Sequence, residues 1–199
     1  MRGSGAATRR RILKAAYARF YRDGFARVGV DALAAAAGVT KRTLYDHFSS
    51  KDELLAAVLE LQHELALARI RSWAAAGGDP AAIVARLFGS LADWMAQPGW
   101  RGSGFSRAAM ELAALPGHPA RAAARNHKAA IEAWLVEALG EAGLEAPRPT
   151  ARQLMLLLEG CQVMTLIDGD PAYAEAAAVA AQALLRQAGA SSPPGAGST

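Results

Sequence analysis

Residues 31–48 read DALAAAAGVTKRTLYDHF and run on as SSKDEL to residue 54. Asp31 to Ala37 has small side chains at helix-forming positions, Gly38 suits the left-handed turn that ends a helix, and Thr40 can cap the next one. Two short helices joined by a tight turn are therefore expected. The second carries Lys41, Arg42, Thr43, Tyr45 and His47 around its surface, while Leu44 and Phe48, four apart, form one inward stripe. A helix fits the major groove of B-form DNA, and cations and hydroxyls near its N-terminal end reach base edges or phosphates. An alanine-rich helical hairpin with a solvated charged face would show the same pattern, so the spacing alone leaves both readings open.

The charge distribution bears on that choice. Residues 1–60 hold 11 Lys+Arg against 6 Asp+Glu, and residues 61–199 hold 11 against 12, so the net +4 is carried by the first third. A basic segment joined to a neutral remainder points to a polyanion-binding module with a second unit that does something else. Apolar residues make up 52% and charged residues 20%, the composition of a folded chain. The lone Cys161 excludes an internal disulfide and fits a reducing cytoplasm. The basic start is followed by alternating apolar and charged residues, Ile12, Leu13, Lys14 and Arg19, so neither secretion nor membrane anchoring is expected.

Outward from the opening stretch, Gly and Pro divide the chain into helix-length segments. Ile12, Ala16 and Phe20 recur at helical spacing, as do Leu54, Val58, Leu61 and Leu65. Nothing alternates as a strand would. An all-α protein of about nine helices is expected, over 6–23, 31–37, 41–47, 51–75, 80–96, 104–114, 119–142, 150–167 and 172–188. The breaker-rich end is expected to be a disordered tail over 189–199.

Catalytic and metal chemistry find little support. The histidines at 47, 63, 118 and 127 form no HExxH or i, i+4 pair, and Cys161 lies among leucines. Phosphate loops, nucleophile elbows and dinucleotide fingerprints are missing. Neither an enzyme, a cofactor nor a bound metal is expected. Residues 79–142 instead concentrate large apolar groups, Phe88, Trp94, Trp100, Phe105, Met110 and Trp134 among them. Core packing accounts for any one of these, although Trp and Met among alanines leave irregular space that a ligand fills. Of the polar groups there, Glu111 on an otherwise apolar helix and His127 stand out; Arg101, His118 and Arg125 read as solvated or capping residues. LMLLLEGCQVMTLI is apolar almost all round and AYAEAAAVAAQALL offers small alanines, so these helices need cover from a second subunit or from the rest of the monomer.

The stretch GVTKRTLYDHFSSKDELLAAV, preceded by TRRRILKAAYARFYRDGF, resembles the N-terminal DNA-binding domain of the TetR/AcrR family of bacterial transcriptional regulators, over roughly residues 8 to 60. The resemblance implies a three-helix helix-turn-helix domain over 1–50 and a six-helix-type ligand-binding and dimerisation domain over 51–188. It implies that Thr40, Tyr45, His47 and Lys51 hold the DNA backbone and that Lys41, Arg42 and Thr43 face the groove. It further implies a homodimer through about 150–188, and a small-molecule effector whose pocket takes in Phe88, Trp94, Phe105, Met110, Glu111, His127 and Trp134. The expected function is a repressor released from a palindromic operator by a small hydrophobic ligand; a helical interaction protein that kept the fold without specific DNA binding is the alternative. One departure stands out: Val28-Gly29-Val30 replaces the family's usual Thr or Ser ahead of the second helix, which removes a capping hydroxyl and a candidate phosphate contact.

Overall fold

The structure, a computed structural model, describes residues 2–190, with side chains described from 5 to 189. Among the described residues there are nine helices and no strand: α1 (Arg2–Asp23), α2 (Val30–Ala37), α3 (Lys41–His47), α4 (Lys51–Ala74), α5 (Pro80–Met95), α6 (Gly104–Glu111), α7 (Pro119–Glu141), α8 (Pro147–Asp168) and α9 (Ala172–Ala190). The all-α expectation holds, and most helix ends agree with the sequence reading within a residue or two. The largest departure is at the start of α1, which begins at Arg2 rather than at the expected 6; smaller ones follow at α8, α6 and α9. α8 begins at Pro147, before the expected 150, because proline in a first helical turn forfeits no intrahelical hydrogen bond. α6 stops at Glu111, with the chain turning through residues 112–114. α9 runs through 189 and 190, the first two residues of the expected tail; 191–199 lie outside the described residues.

The chain divides into two compact units. The first takes the residues up to Leu67 together with Ser103–Lys128, and the second takes Ala68–Gly102 with the chain from Ala129 on. The division falls inside α4, rather than at residue 50, because α6 and the start of α7 join the first unit.

In that unit Ile12, Phe20, Phe25, Leu33, Leu44, Phe48, Leu54 and Val58 form one buried cluster with Phe105, Ala108, Leu112 and Ala124. Burying a Leu or Phe side chain contributes about 1.5–3 kcal/mol, so this cluster holds the short helices in place where their own propensity cannot. Gly38 ends α2 in the left-handed region, φ 61°, and its N–H and that of Val39 satisfy the carbonyls of Ala35 and Ala34. Thr40 caps α3, its hydroxyl accepting the Thr43 N–H at 3.0 Å. Thr40→Ala is expected to cost about 1 kcal/mol of stability, read as a lowered urea midpoint; an unchanged midpoint would mean that packing of Leu44 alone holds the helix. α4 opens on Ser50, whose hydroxyl accepts the Glu53 N–H at 3.0 Å, while the Glu53 carboxylate takes the Ser49 N–H at 2.7 Å and the Ser49 hydroxyl. Those donors hold the Glu53 carboxyl below its usual range.

In the second unit α9 packs on α5 and α8. Asp79 caps α5 by accepting the Ala82 N–H at 2.7 Å, with Pro80 as the first helical residue. Gln182 of α9 donates to the Ala81 carbonyl at 2.9 Å. α8 is not apolar-buried all round: Leu154, Leu158, Cys161, Gln162 and Thr165 face inward, while Leu156 is 70% and Ile167 68% exposed. Leu156, Gly160, Val163 and Ile167 follow the i, i+4, i+7, i+11 spacing of one outward stripe. Val179 of α9 is exposed as well. The Cys161 thiol donates to the Leu158 carbonyl at 3.4 Å, and burial pushes it up to about 11, so it is a packing group with little thiolate.

Candidate nucleic-acid interface

The geometry of α3 follows from which face the core takes. Leu44 and Phe48 are buried, leaving Lys41, Arg42 and Tyr45 on the outer surface, with Tyr45 43% exposed. Thr43 and His47 are half-buried at its margins. Thr40 and Thr43 share a hydroxyl contact at 2.9 Å, so one of the two must turn its proton away before both can meet phosphate. Lys41 pairs with Asp31 of α2 at 3.2 Å; both are exposed, and such a pair contributes little, so the ammonium is available to a stronger anion. Arg42 carries no intramolecular partner among the described residues.

Lys51 lies at the first turn of α4, half-buried, with its ammonium donating to the Ala26 carbonyl at 2.9 Å. That bond ties the α1–α2 loop to α4. The sequence points to Lys51 but not to this role, because a separation of 25 positions between donor and acceptor leaves no local signature.

Four further residues belong to the surroundings of this surface. Arg9 places its guanidinium 4.8 Å over the Phe48 ring, and Arg11 donates to the Ala37 carbonyl at 3.1 Å, so two arginines of α1 hold the ends of α3 and α2. Asp46, exposed on the outward arc one turn after Arg42, sets an acceptor among the donors. His118, read from sequence as solvated or capping, is buried; its Nδ1 accepts the Ala120 N–H at 3.1 Å, so Nε2 carries the proton and faces Asp52 Oδ1 at 3.2 Å.

The residues expected around an effector are spread over both units. In the first, His127 is buried, stacks on Phe105 at 3.6 Å between centroids, and meets His63 Nδ1-to-Nδ1 at 3.0 Å. Met110 is 56% exposed, and the Glu111 carboxylate is directed at the α1–α2 loop. In the second, Phe88 is buried and Trp94 lies between Trp73 and Trp100, at 6.4 and 6.1 Å, with the Arg69 guanidinium 5.0 Å over its ring. Trp134 floors an open groove of about 340 Å³ with Arg71, Ile83, Ala138 and Glu141. Among the described residues no cluster of three metal-ligating side chains occurs, and no helix is long and apolar enough to cross a membrane.

Residues 12–58 match the family model of bacterial regulatory proteins, tetR family. Over 57 residues the chain is 44% identical to the HTH-type transcriptional regulator TtgR of Pseudomonas putida, a match covering 29% of this chain and 27% of TtgR. It is likewise 44% identical over 54 residues to an HTH-type transcriptional repressor of Streptomyces coelicolor, covering 27% of this chain and 28% of that one. These two curated relatives are thus matched over little more than a quarter of their length. A solved structure from Streptomyces avermitilis, assigned to the tetR transcriptional regulators, is 33% identical, with a TM-score of 0.82 over 92% of this chain and 98% of that one.

The chain belongs to the TetR family. It is a DNA-binding transcriptional regulator. A second TetR-family regulator, from Streptomyces coelicolor, is 29% identical with the same TM-score of 0.82, covering 92% of this chain and 96% of that one. The outward face of α3 sets two cations and a phenol clear of a buried stripe, a geometry compatible with a DNA groove.

Proposed function

We propose that this TetR-family regulator is a cytoplasmic repressor that binds a palindromic operator as a homodimer and is released by a small hydrophobic effector. The first unit carries DNA binding; the second carries the effector and the dimer contact. The observation that carries the reading is the stripe of exposed Leu156, Gly160 and Ile167 with half-buried Val163 on α8, together with exposed Val179 on α9. An apolar face of this kind is covered in a working protein, and a second copy supplies the same face about a two-fold axis. A two-fold dimer reads a palindrome with half-sites one helical turn, or a multiple of it, apart. Phe88, Trp94 and Trp134 supply the apolar and aromatic surface an effector of this class needs.

At the DNA, Tyr45, Thr40, His47 and Lys51 take the backbone, and Arg42, with Lys41 and Thr43, reads bases. Arg42→Ala is expected to cost about 1–3 kcal/mol on a duplex selected by the wild-type protein from a random library, to spare random duplex by comparison, and to relax preference at one symmetric pair of positions. Lys51→Ala is expected to weaken both duplexes and to lower the salt slope by about one unit. Titrations on the two duplexes at two salt concentrations separate the roles. Equal losses on both duplexes for Arg42→Ala would make it a backbone contact, and failure of the wild type to enrich any duplex would favour the interaction-protein alternative.

A further inference from the structure

α2 begins without a side-chain cap. Its N-cap residue is Gly29, in extended conformation, and no side chain accepts the first helical N–H groups. The loop feeding that helix is nevertheless held from outside the helix-turn-helix, at a single residue. The Ala26 N–H donates to Glu111 Oε2 at 3.0 Å, and the Ala26 carbonyl accepts from Lys51 Nζ at 2.9 Å. Both backbone groups of one loop residue are thus engaged by charged side chains, one from α6 and one from α4. Hydrogen bonds to ionised groups are shorter and stronger than those between neutral ones.

The same carboxylate oxygen also lies close to a second loop residue. Gly24 has φ +103°, and a Cβ built there would lie 3.3 Å from Glu111 Oε2. The carboxylate therefore approaches the loop more closely than most residues at position 24 would allow. Arg107, one turn earlier on α6, orients it: Arg107 Nη2 lies 3.6 Å from Glu111 Oε1, and its Nη1 donates to the Tyr21 carbonyl at 2.8 Å near the end of α1.

We propose that Glu111 is a positioning residue for DNA binding, whose carboxylate holds the loop of residues 24–29 and through it the placement of α2 and α3. The proposal builds on the DNA-binding role of the first unit. Glu111 itself touches neither base nor phosphate in this role. It holds the loop where the missing hydroxyl at 28–29 leaves α2 without a cap.

Charge and positioning predict opposite signs. Deleting a carboxylate from a DNA-binding unit makes that unit more positive, and by electrostatics alone tightens its grip on a polyanion. Loss of the loop contact weakens specific binding instead. Glu111→Ala is expected to bind the duplex selected by the wild-type protein about tenfold more weakly, with the salt slope unchanged and random-sequence duplex bound as before or slightly tighter. Amide exchange of a peptide covering 24–29 should quicken about tenfold at Ala26. Glu111→Gln keeps an acceptor for that N–H while losing the charge, so it should retain wild-type affinity and exchange within about threefold. Glu111→Met, similar in length but without the acceptor, serves where the alanine variant does not fold. The proposal is overturned if Glu111→Ala or Glu111→Met binds the selected duplex as tightly as the wild type, if Ala26 exchange is unaltered, or if the glutamine variant fails as the alanine variant does. Should the wild type select no duplex, the DNA-binding role fails, and the exchange rate still decides whether Glu111 holds the loop.

Discussion

Leu156→Glu is expected to convert the proposed dimer to monomer at micromolar concentration. Leu156 is 70% exposed in the single chain, on the same stripe as Gly160, where an added Cβ would meet nothing within 4 Å. Leu156, Gly160 and Ile167 thus leave an apolar strip open to solvent, flanked by Arg152 and Glu159. In a two-fold interface the substitution enters twice, and each carboxylate is desolvated without a partner. The penalty is on the order of 4 kcal/mol, or about a thousandfold in the dissociation constant. Because the side chain leaves the protomer core untouched, the variant should fold normally, with helical content unchanged. Leu157 is a less clean probe, being half-buried in the protomer itself, so that charge there confounds folding with association. Sedimentation velocity across roughly 0.1–10 µM, a range bracketing ordinary dimer affinities, reads the outcome. A variant that sediments with the wild type, or a wild type that is itself monomeric at these concentrations, removes α8 from the interface.

The second large effect is expected at Phe48→Ala. The ring is 1% exposed within the core of the first unit, lies under the Arg9 guanidinium at 4.8 Å, and belongs to the residue that closes α3, its N–H bonded to the Leu44 carbonyl at 3.0 Å. Truncation removes the ring's transfer energy, opens a cavity and leaves Arg9 without its aromatic partner, for a loss of about 3–5 kcal/mol. The two units can be watched separately. All four tryptophans, at 73, 94, 100 and 134, belong to the second unit, whereas three of the four tyrosines, Tyr17, Tyr21 and Tyr45, belong to the first and only Tyr173 to the second. The tyrosine-detected urea transition should move to markedly lower denaturant, with the tryptophan-detected one moving less. Coincident shifts of equal size would show that the chain unfolds as one cooperative body and that the loss is shared. A tyrosine transition that stays in place would mean that the cavity has collapsed at little cost.

The legible parts of this protein were those in which cause and effect lie close together along the chain. Helix periodicity, the Gly38 turn, the Thr40 cap and the Leu44–Phe48 stripe are local, and the structure has each where the residues indicated. Proline misled at 147–149, where a residue read as a breaker opens a helix instead. The partners of the candidate site residues were less legible. Glu111 stood out as an acid on an apolar helix, the pattern of a pocket residue, yet its carboxylate serves a backbone N–H 85 residues away. Lys51 read as a phosphate cation and is already bonded to a carbonyl. His118 read as solvated or capping; it does take a first-turn N–H of α7, that of Ala120, but it is buried rather than solvated, with Nε2 against Asp52.

Local spacing along the chain thus settles the set of helices, their inward faces and the short motif by which α3 presents cations and a phenol. Those depend on i, i+3 and i+4 neighbours and on single-residue backbone preferences, which are written within a few residues. Tertiary structure alone decided that α6 and the start of α7 join the core of α1 to α4, that both backbone groups of Ala26 are held by side chains from two other helices, and that one side of α8 stays outside. Each of these turns on which distant segments meet, and that is settled by packing of the whole core, where many apolar pairings are similar in energy until side-chain shape and polar satisfaction select one.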